Sequence, residues 1–321
     1  MGREIQIKDM KKIFTLIVLS FIALCASAQG SVMQRAITKQ THLYAVKGAD
    51  SLYLDHYAAP VEGKRPCVMF VFGGGFVGGA RDRDTEYFLF LANNGYDVVS
   101  IDYRLGMKGI ESPGIIEFLK AMDKTINIAV EDLYSATNFI LDHADEWQID
   151  PEKIVVSGSS AGAITSLQAE YAICNSLPVA KSLKEGFNYA GVIAFAGAVF
   201  TLDGAPKWEK QSAPTLLFHG SSDTQVPFTK MAAFGIGMYG SKYIADKLHD
   251  SGMPYWLYSV EYETHSMSSK PMHENHKEIL SFLDEYVMQQ RPLQRTTHTI
   301  DKNIPKRKTF FLPTDFINAN Y

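Results

Sequence analysis

Apolar and polar residues change their period several times along this chain, and each change marks an element. His42 to Lys47 and Ser51 to Tyr57 alternate around Gly48-Ala49-Asp50, the pattern of a β-hairpin. Pro66 to Phe72 is a continuous apolar run, as expected of a strand buried on both faces. Glu86 to Asn93 predicts a helix closed by Asn94-Gly95, and Asp97 to Tyr103 predicts the next strand. From Ile126 to Trp147 apolar residues recur near a spacing of 3.6, through Ile128, Leu133, Ala136, Phe139 and Ile140, which predicts a long helix. Lys153 to Val156 reads as a buried strand and Ala163 to Cys174 as a helix. Ala190 to Phe200 and Thr215 to His219 read as strands. Met231 to Leu248 reads as a helix despite Gly235, Gly237 and Gly240. Tyr255 to Tyr262 predicts the last strand and His273 to Val287 the last helix.

Strands therefore alternate with helices for over two hundred residues after an opening hairpin. This order predicts an α/β fold with a mainly parallel sheet, helices on both faces and antiparallel strands at the start. No repeat or low-complexity linker interrupts it, so residues 29–290 read as one domain. The pattern stops at Arg291, and residues 291–321 read as a C-terminal tail, either packed back on the domain or loose. Its aromatic residues are Phe310, Phe311, Phe316 and Tyr321.

The first 28 residues read as a secretory signal. Lys8, Lys11 and Lys12 precede an apolar run from Ile13 to Cys25, and Ala26-Ser27-Ala28 supplies the small-residue cleavage pattern, placing the cut before Gln29. An uncleaved membrane anchor is the competing reading, and Met10-Lys11-Lys12 is a more natural start than Met1. The expected location is secreted or periplasmic, with no membrane attachment after cleavage. Cys67 and Cys174 then remain, in a compartment that permits a bridge without establishing one. The net charge of −4 carries no nucleic-acid footprint. Oligomeric state is not legible.

The chemistry concentrates at Gly158-Ser159-Ser160-Ala161-Gly162, a G-x-S-x-G pattern between a strand and a helix. In that setting the glycines permit a sharp turn that lifts the central serine, Ser160, out at the sheet's edge as a nucleophile. Serine needs a base that is oriented by an acid. Asp223, in the turn His219-Gly220-Ser221-Ser222-Asp223 beyond a strand, fits the acid, with Asp203 as the fallback. His265, just after the last strand, fits the base; His273 and His276 compete, but their spacing places them on the following helix. Phe72-Gly73-Gly74-Gly75-Phe76 lets main chain approach a substrate closely. The N–H groups of Gly74 and Gly75, with that of Ala161, would form an oxyanion hole. The same stretch spells Gly73-x-Gly75-x-x-Gly78, a dinucleotide fingerprint, but loop rather than helix follows it. No Gly-Lys-Ser/Thr follows either, which excludes a phosphate P-loop. Phe76, Phe200 and Phe228 are candidates to line a substrate pocket, Phe76 first.

Taken together, Gly-Gly-Gly-Phe after a strand, Asp102-Tyr103-Arg104-Leu105, Gly-x-Ser-Ala-Gly, His-Gly-x-x-Asp-x-x-Val-Pro and a late histidine resemble the α/β-hydrolase superfamily. The likeness is to its carboxylesterases, in the hormone-sensitive-lipase-like and type-B-carboxylesterase-like branches, over roughly Leu43 to Val287. The resemblance implies an eight-stranded, mostly parallel sheet, a Ser160–Asp223–His265 triad, no cofactor and no metal. It departs at Phe72, where the family usually has a histidine bracing the glycine loop. The expected activity is serine carboxylesterase, on a small ester or an acylated (acetyl or feruloyl) carbohydrate. Two rivals are a serine peptidase of the prolyl-oligopeptidase type, which normally carries a propeller domain for which this chain has no room, and a non-catalytic binding protein of the same fold.

Overall fold

The computed structural model describes residues 36–110 and 114–309. The expected signal and its expected cleavage site before Gln29, and the tail from Phe310, lie outside the described residues. Nine strands form one sheet in the order β1-β2-β4-β3-β5-β6-β8-β11-β12. They are β1 (Thr38–Lys47), β2 (Asp50–Ala58), β3 (Arg65–Val71), β4 (Asp97–Ile101), β5 (Ile149–Ser159), β6 (Gly191–Phe195), β8 (Thr215–Gly220), β11 (Tyr255–Val260) and β12 (Gln294–Thr299). β1 and β2 form an antiparallel hairpin, β2 runs antiparallel to β4, and every later pairing is parallel.

Adjacent side chains of β3 define the two faces, because a strand alternates sides. Met69 accepts a hydrogen bond through sulfur from Thr137 of helix α2 (Ile115–Trp147). Its neighbour Phe70 meets Tyr87 and Phe88 of helix α1 (Thr85–Asn93) edge-on. On the first face α2 packs on helix α3 (Ala161–Cys174), where the Tyr134 hydroxyl donates to the Ala169 carbonyl. On the second, Phe90 of α1 stacks on His276, which opens the helix His276–Phe282. Covered on both sides, β4, β6 and β8 are buried at every position. The edge strands β1 and β12 are mostly polar and more exposed.

Four expectations change. The sheet has nine strands, not eight: Gln294–Thr299, past the point where apolar patterning stops, adds the parallel edge strand β12. An edge strand needs no apolar face, so composition concealed it. Helix α2 begins eleven residues before Ile126, at Ile115, with Phe118 and Met122 extending its buried stripe. Ala190 to Phe200 is two strands, β6 and β7 (Ala198–Thr201), separated where Ala196 turns to φ 56°. Met231 to Leu248 starts not as a helix but as β9 (Lys230–Ala233) and β10 (Ile236–Gly240), which with β7 form a small antiparallel sheet; helix α4 (Ser241–Asp250) follows. The glycines decide this: Gly237 has φ 143°, and a Cβ there would lie 2.2 Å from the Met231 carbonyl. Among the described residues the two cysteines, Cys67 and Cys174, are buried free thiols.

Candidate active site

The serine turn is built by exclusion. At Gly158 a Cβ would lie 2.3 Å from the Gly162 carbonyl oxygen, and at Gly162 one would lie 2.0 Å from that of Val71. Only glycine fits at either flank, so the chain can double back from β5 into α3 while touching β3. Ser160 pivots between them at φ 51°, ψ −116°. For a residue with a Cβ this conformation costs on the order of 1–3 kcal/mol. Its N–H donates to the Phe195 carbonyl at 2.8 Å and its carbonyl accepts from Ile164 N at 2.9 Å, which holds the strained residue between sheet and helix.

The structure brings Ser160, His265 and Asp223 into one hydrogen-bonded line. His265 Nε2 lies 2.8 Å from Ser160 Oγ, and Nδ1 lies 2.7 Å from Asp223 Oδ2. The carboxylate is 1% exposed, and its other oxygen accepts from the amides of Gln225 and Val226 at 2.8 and 2.9 Å. Burial alone would raise this carboxyl's pKa; bonds from His219 and His265 outweigh it and hold the group well below the usual carboxylate range. With Asp223 ionised at neutral pH, Nδ1 of His265 carries the proton and Nε2 is free to accept from the serine.

The loops bearing Asp223 and His265 are laced together. A Cβ at Gly220 would lie 2.3 Å from the Glu263 carbonyl oxygen, so glycine is required there for the loops to touch. Ser222 N donates to that carbonyl at 2.9 Å, and Ser221 Oγ accepts from Tyr262 N at 2.8 Å. Ser159 is buried, and its hydroxyl donates to the Ser268 carbonyl at 2.8 Å, tying the serine turn to the histidine turn. The competing residues lie elsewhere. Asp203 is exposed in the turn after β7, His273 faces Glu86, and His276 bonds the Met272 carbonyl.

The glycine loop adjoins the serine. A Cβ at Gly73 would meet the Ser159 carbonyl at 2.8 Å and the Ser160 Cβ at 3.1 Å. Gly74 and Gly75 follow at φ 130° and 62°, both exposed, and Ala161 is the first residue of α3, where helical N–H groups lack partners within the helix. Phe72 takes over the bracing expected of histidine in a different way. Its ring is tilted against Tyr103 at 4.5 Å, and the Tyr103 hydroxyl donates to the Phe72 carbonyl at 2.9 Å. Phe76, expected to line the pocket, is corrected: it is 1% exposed and packs edge-on to Tyr103 beneath the loop. Phe200 is buried as well, and Phe228 is half-buried against His219. Among the described residues no group of three or more His, Cys, Asp and Glu side chains is placed to hold a metal ion.

Sequence reasoning missed three contributors: His219, Tyr103 as a brace and Ser159 as a tie. His219 and Tyr103 were visible only as letters inside motifs; their roles depend on contacts across strands that spacing does not encode.

Residues 54–199 match the BD-FAE family model, a span that includes the glycine loop and Ser160. Over 116 residues the chain is 30% identical to the fumonisin B1 esterase of Sphingopyxis macrogoltabida, covering 36% of this chain and 22% of that protein. Over 123 residues it is 30% identical to an AB hydrolase superfamily protein of Schizosaccharomyces pombe, covering 38% of this chain and 31% of that one. The chain thus matches under a third of either relative's length. A solved structure of a thermophilic esterase from Thermogutta terrifontis with butyrate bound superposes with a TM-score of 0.59 at 21% identity, covering 79% of this chain and 95% of that one. With its mostly parallel sheet, its serine turn and these likenesses, the chain has the α/β-hydrolase fold, and its residues 54–199 are similar to the BD-FAE family.

Proposed function

We propose that the protein is a carboxylic ester hydrolase working through Ser160, His265 and Asp223 and an acyl-enzyme intermediate. What supports this reading most is the unbroken line from Asp223 Oδ2 through His265 to Ser160 Oγ, at 2.7 and 2.8 Å. In the proposed cycle Ser160 Oγ attacks the ester carbonyl while His265 Nε2 takes its proton. Asp223 holds the ring and stabilises the imidazolium that forms. Negative charge on the former carbonyl oxygen is met by the N–H groups of Gly74, Gly75 and Ala161, each worth roughly 3 kcal/mol in such a hole. The alcohol leaves with the proton from His265, and water repeats the sequence on the acyl-serine.

The finer reading is an acylated carbohydrate as substrate in a secreted or periplasmic setting. Its support is the basic leader, apolar run and small-residue cleavage pattern ending before Gln29. Turnover of p-nitrophenyl esters of graded chain length, set against acetylated and feruloylated oligosaccharides and prolyl peptide substrates, tests both levels. Ester turnover lost in Ser160→Ala is the expected result. Peptide turnover alone would favour the peptidase reading, and no turnover of any substrate would favour a binding protein.

A further inference from the structure

His219 lies outside the proposed triad, yet it is fully buried at the end of β8 and its ring reaches the triad's acid. Nε2 lies 3.1 Å from the Val226 carbonyl oxygen and 3.3 Å from Asp223 Oδ2. Both neighbours are acceptors, so Nε2 must carry a hydrogen; a bare lone pair there would face two oxygens. Nδ1 lies 2.7 Å from Ser241 Oγ, the buried first residue of α4, whose hydroxyl suits a ring nitrogen in either tautomer. Ser241 fixes the ring at one end, and the two oxygens fix it at the other.

Asp223 Oδ2, the oxygen that faces His265, thus also has the His219 Nε2–H 3.3 Å away, shared with the nearer Val226 carbonyl. Oδ1 is occupied by the Gln225 and Val226 amides. Removing the His219 donor would leave Oδ2 free to swing about the Oδ1 anchors, and the position of Oδ2 sets the tilt of His265. His219 also ties the Val226 carbonyl, so the turn bearing Asp223 closes around one side chain.

We propose that His219 is a positioning residue of the catalytic apparatus. It holds Asp223 Oδ2 on the line to His265 through an obligatory Nε2–H donor, with Ser241 orienting its ring. This rests on the triad reading and extends that line to five groups: Ser241, His219, Asp223, His265 and Ser160. The titratable groups that act on Asp223 are His219 and His265.

Three variants test it with a p-nitrophenyl ester: His219→Leu, His219→Gln and Ser241→Ala. Glutamine places an amide N–H near the position of Nε2, and leucine places none. His219→Leu should lower kcat roughly 100-fold with KM close to wild type, the scale expected when a reacting group is misplaced by an ångström. It should also move the acid limb of kcat/KM to lower pH, because a carboxylate that has swung off the line stabilises the imidazolium less. His219→Gln should restore most of the rate and return the limb towards its wild-type position. A His219→Leu protein that folds, keeps wild-type kcat and keeps the wild-type limb overturns the proposal, as does a His219→Gln protein as impaired as His219→Leu. Should leucine prevent folding, Ser241→Ala decides: a lowered kcat with a displaced limb supports the proposal, and no change in either contradicts it. Ser160→Ala, assayed in parallel, separates the two levels. If it retains turnover the triad reading fails; if it is inactive while the His219 variants behave as wild type, only this inference fails.

Discussion

Of the four aspartates buried to 1% exposure or less among the described residues, Asp97 and Asp223 each meet a histidine, yet only one belongs to the candidate active site. Asp97 sits at the start of β4, where Oδ2 faces His56 Nε2 at 2.8 Å. Arg65 donates to both of its oxygens, at 2.6 and 3.2 Å, and the Ala59 amide adds a fourth bond. His56 is itself sealed by stacking on Trp147 at 4.4 Å. Asp223, past the end of β8, has backbone amides and imidazoles where Asp97 has a guanidinium. The difference is chemical. Arginine stays charged, so the charge of Asp97 is already matched and its histidine has no reactive partner. The charge of Asp223 is spread over hydrogen-bond donors and remains available when an imidazolium forms on His265. One arrangement suits stability and the other suits the proposed reaction.

The sharpest way to break this contrast is to neutralise each aspartate separately. Asp223→Asn should lower kcat by about 10⁴-fold, by presenting the wrong tautomer of His265, while leaving a folded protein. Asp97→Asn should leave kcat per folded molecule close to wild type. A large loss of kcat in folded Asp97→Asn, or a fully active Asp223→Asn, would remove the distinction. The histidines extend the test: His265→Ala should lose activity about 10³-fold or more, while His273→Ala and His276→Ala keep most of it. An indispensable helix histidine alongside a dispensable His265 would relocate the base.

Stability should show the reverse. Arg65→Met leaves Asp97 buried without its cation and should cost about 3 kcal/mol in urea unfolding, with little effect on the acyl-transfer step. The acid side follows from linkage. Burial pushes the Asp97 carboxyl up, but bonds from His56, Arg65 and Ala59 outweigh it and hold its folded pKa below the ordinary value. Its stabilisation is therefore complete above the unfolded value near about pH 4 and is lost as pH falls through the folded one. In Arg65→Met that loss should begin at higher pH. Unchanged urea midpoints down to pH 3 in both proteins would contradict this.

The smallest expected effect concerns the glycine loop. Tyr103→Phe removes one hydrogen bond to the Phe72 carbonyl, worth about 1 kcal/mol, and should lower kcat by about fivefold. A wild-type rate would mean that ring packing alone braces the loop.

How much of this was legible beforehand varied with how local the cause is. The serine turn was, because crowding at Gly158 and Gly162 leaves a mark at fixed spacing around Ser160. Asp223 and His265 followed from the order of strands, since each occupies the loop after its own strand, and the structure places His265 against Ser160 with Asp223 behind the ring. What escaped depends on partners distant in sequence. His219 needs Ser241, and Tyr103 needs Phe72. β12 escaped because an edge strand is polar, and β9 and β10 because short strands joined by glycines resemble a poor helix. Phe76 misled for a related reason: an aromatic residue beside a glycine loop suggests a substrate contact, yet its positive φ turns the ring inward beneath Tyr103.

In the proposed cycle Ser160 carries the acyl group. Rapid acid quenching of the enzyme with p-nitrophenyl butyrate, followed by peptide mass spectrometry, reads this directly. One butyryl group is expected on the peptide containing Ser160, absent from Ser160→Ala and strongly reduced in His265→Ala. Steady turnover in Ser160→Ala, or an acyl group found reproducibly on a different residue, would contradict it.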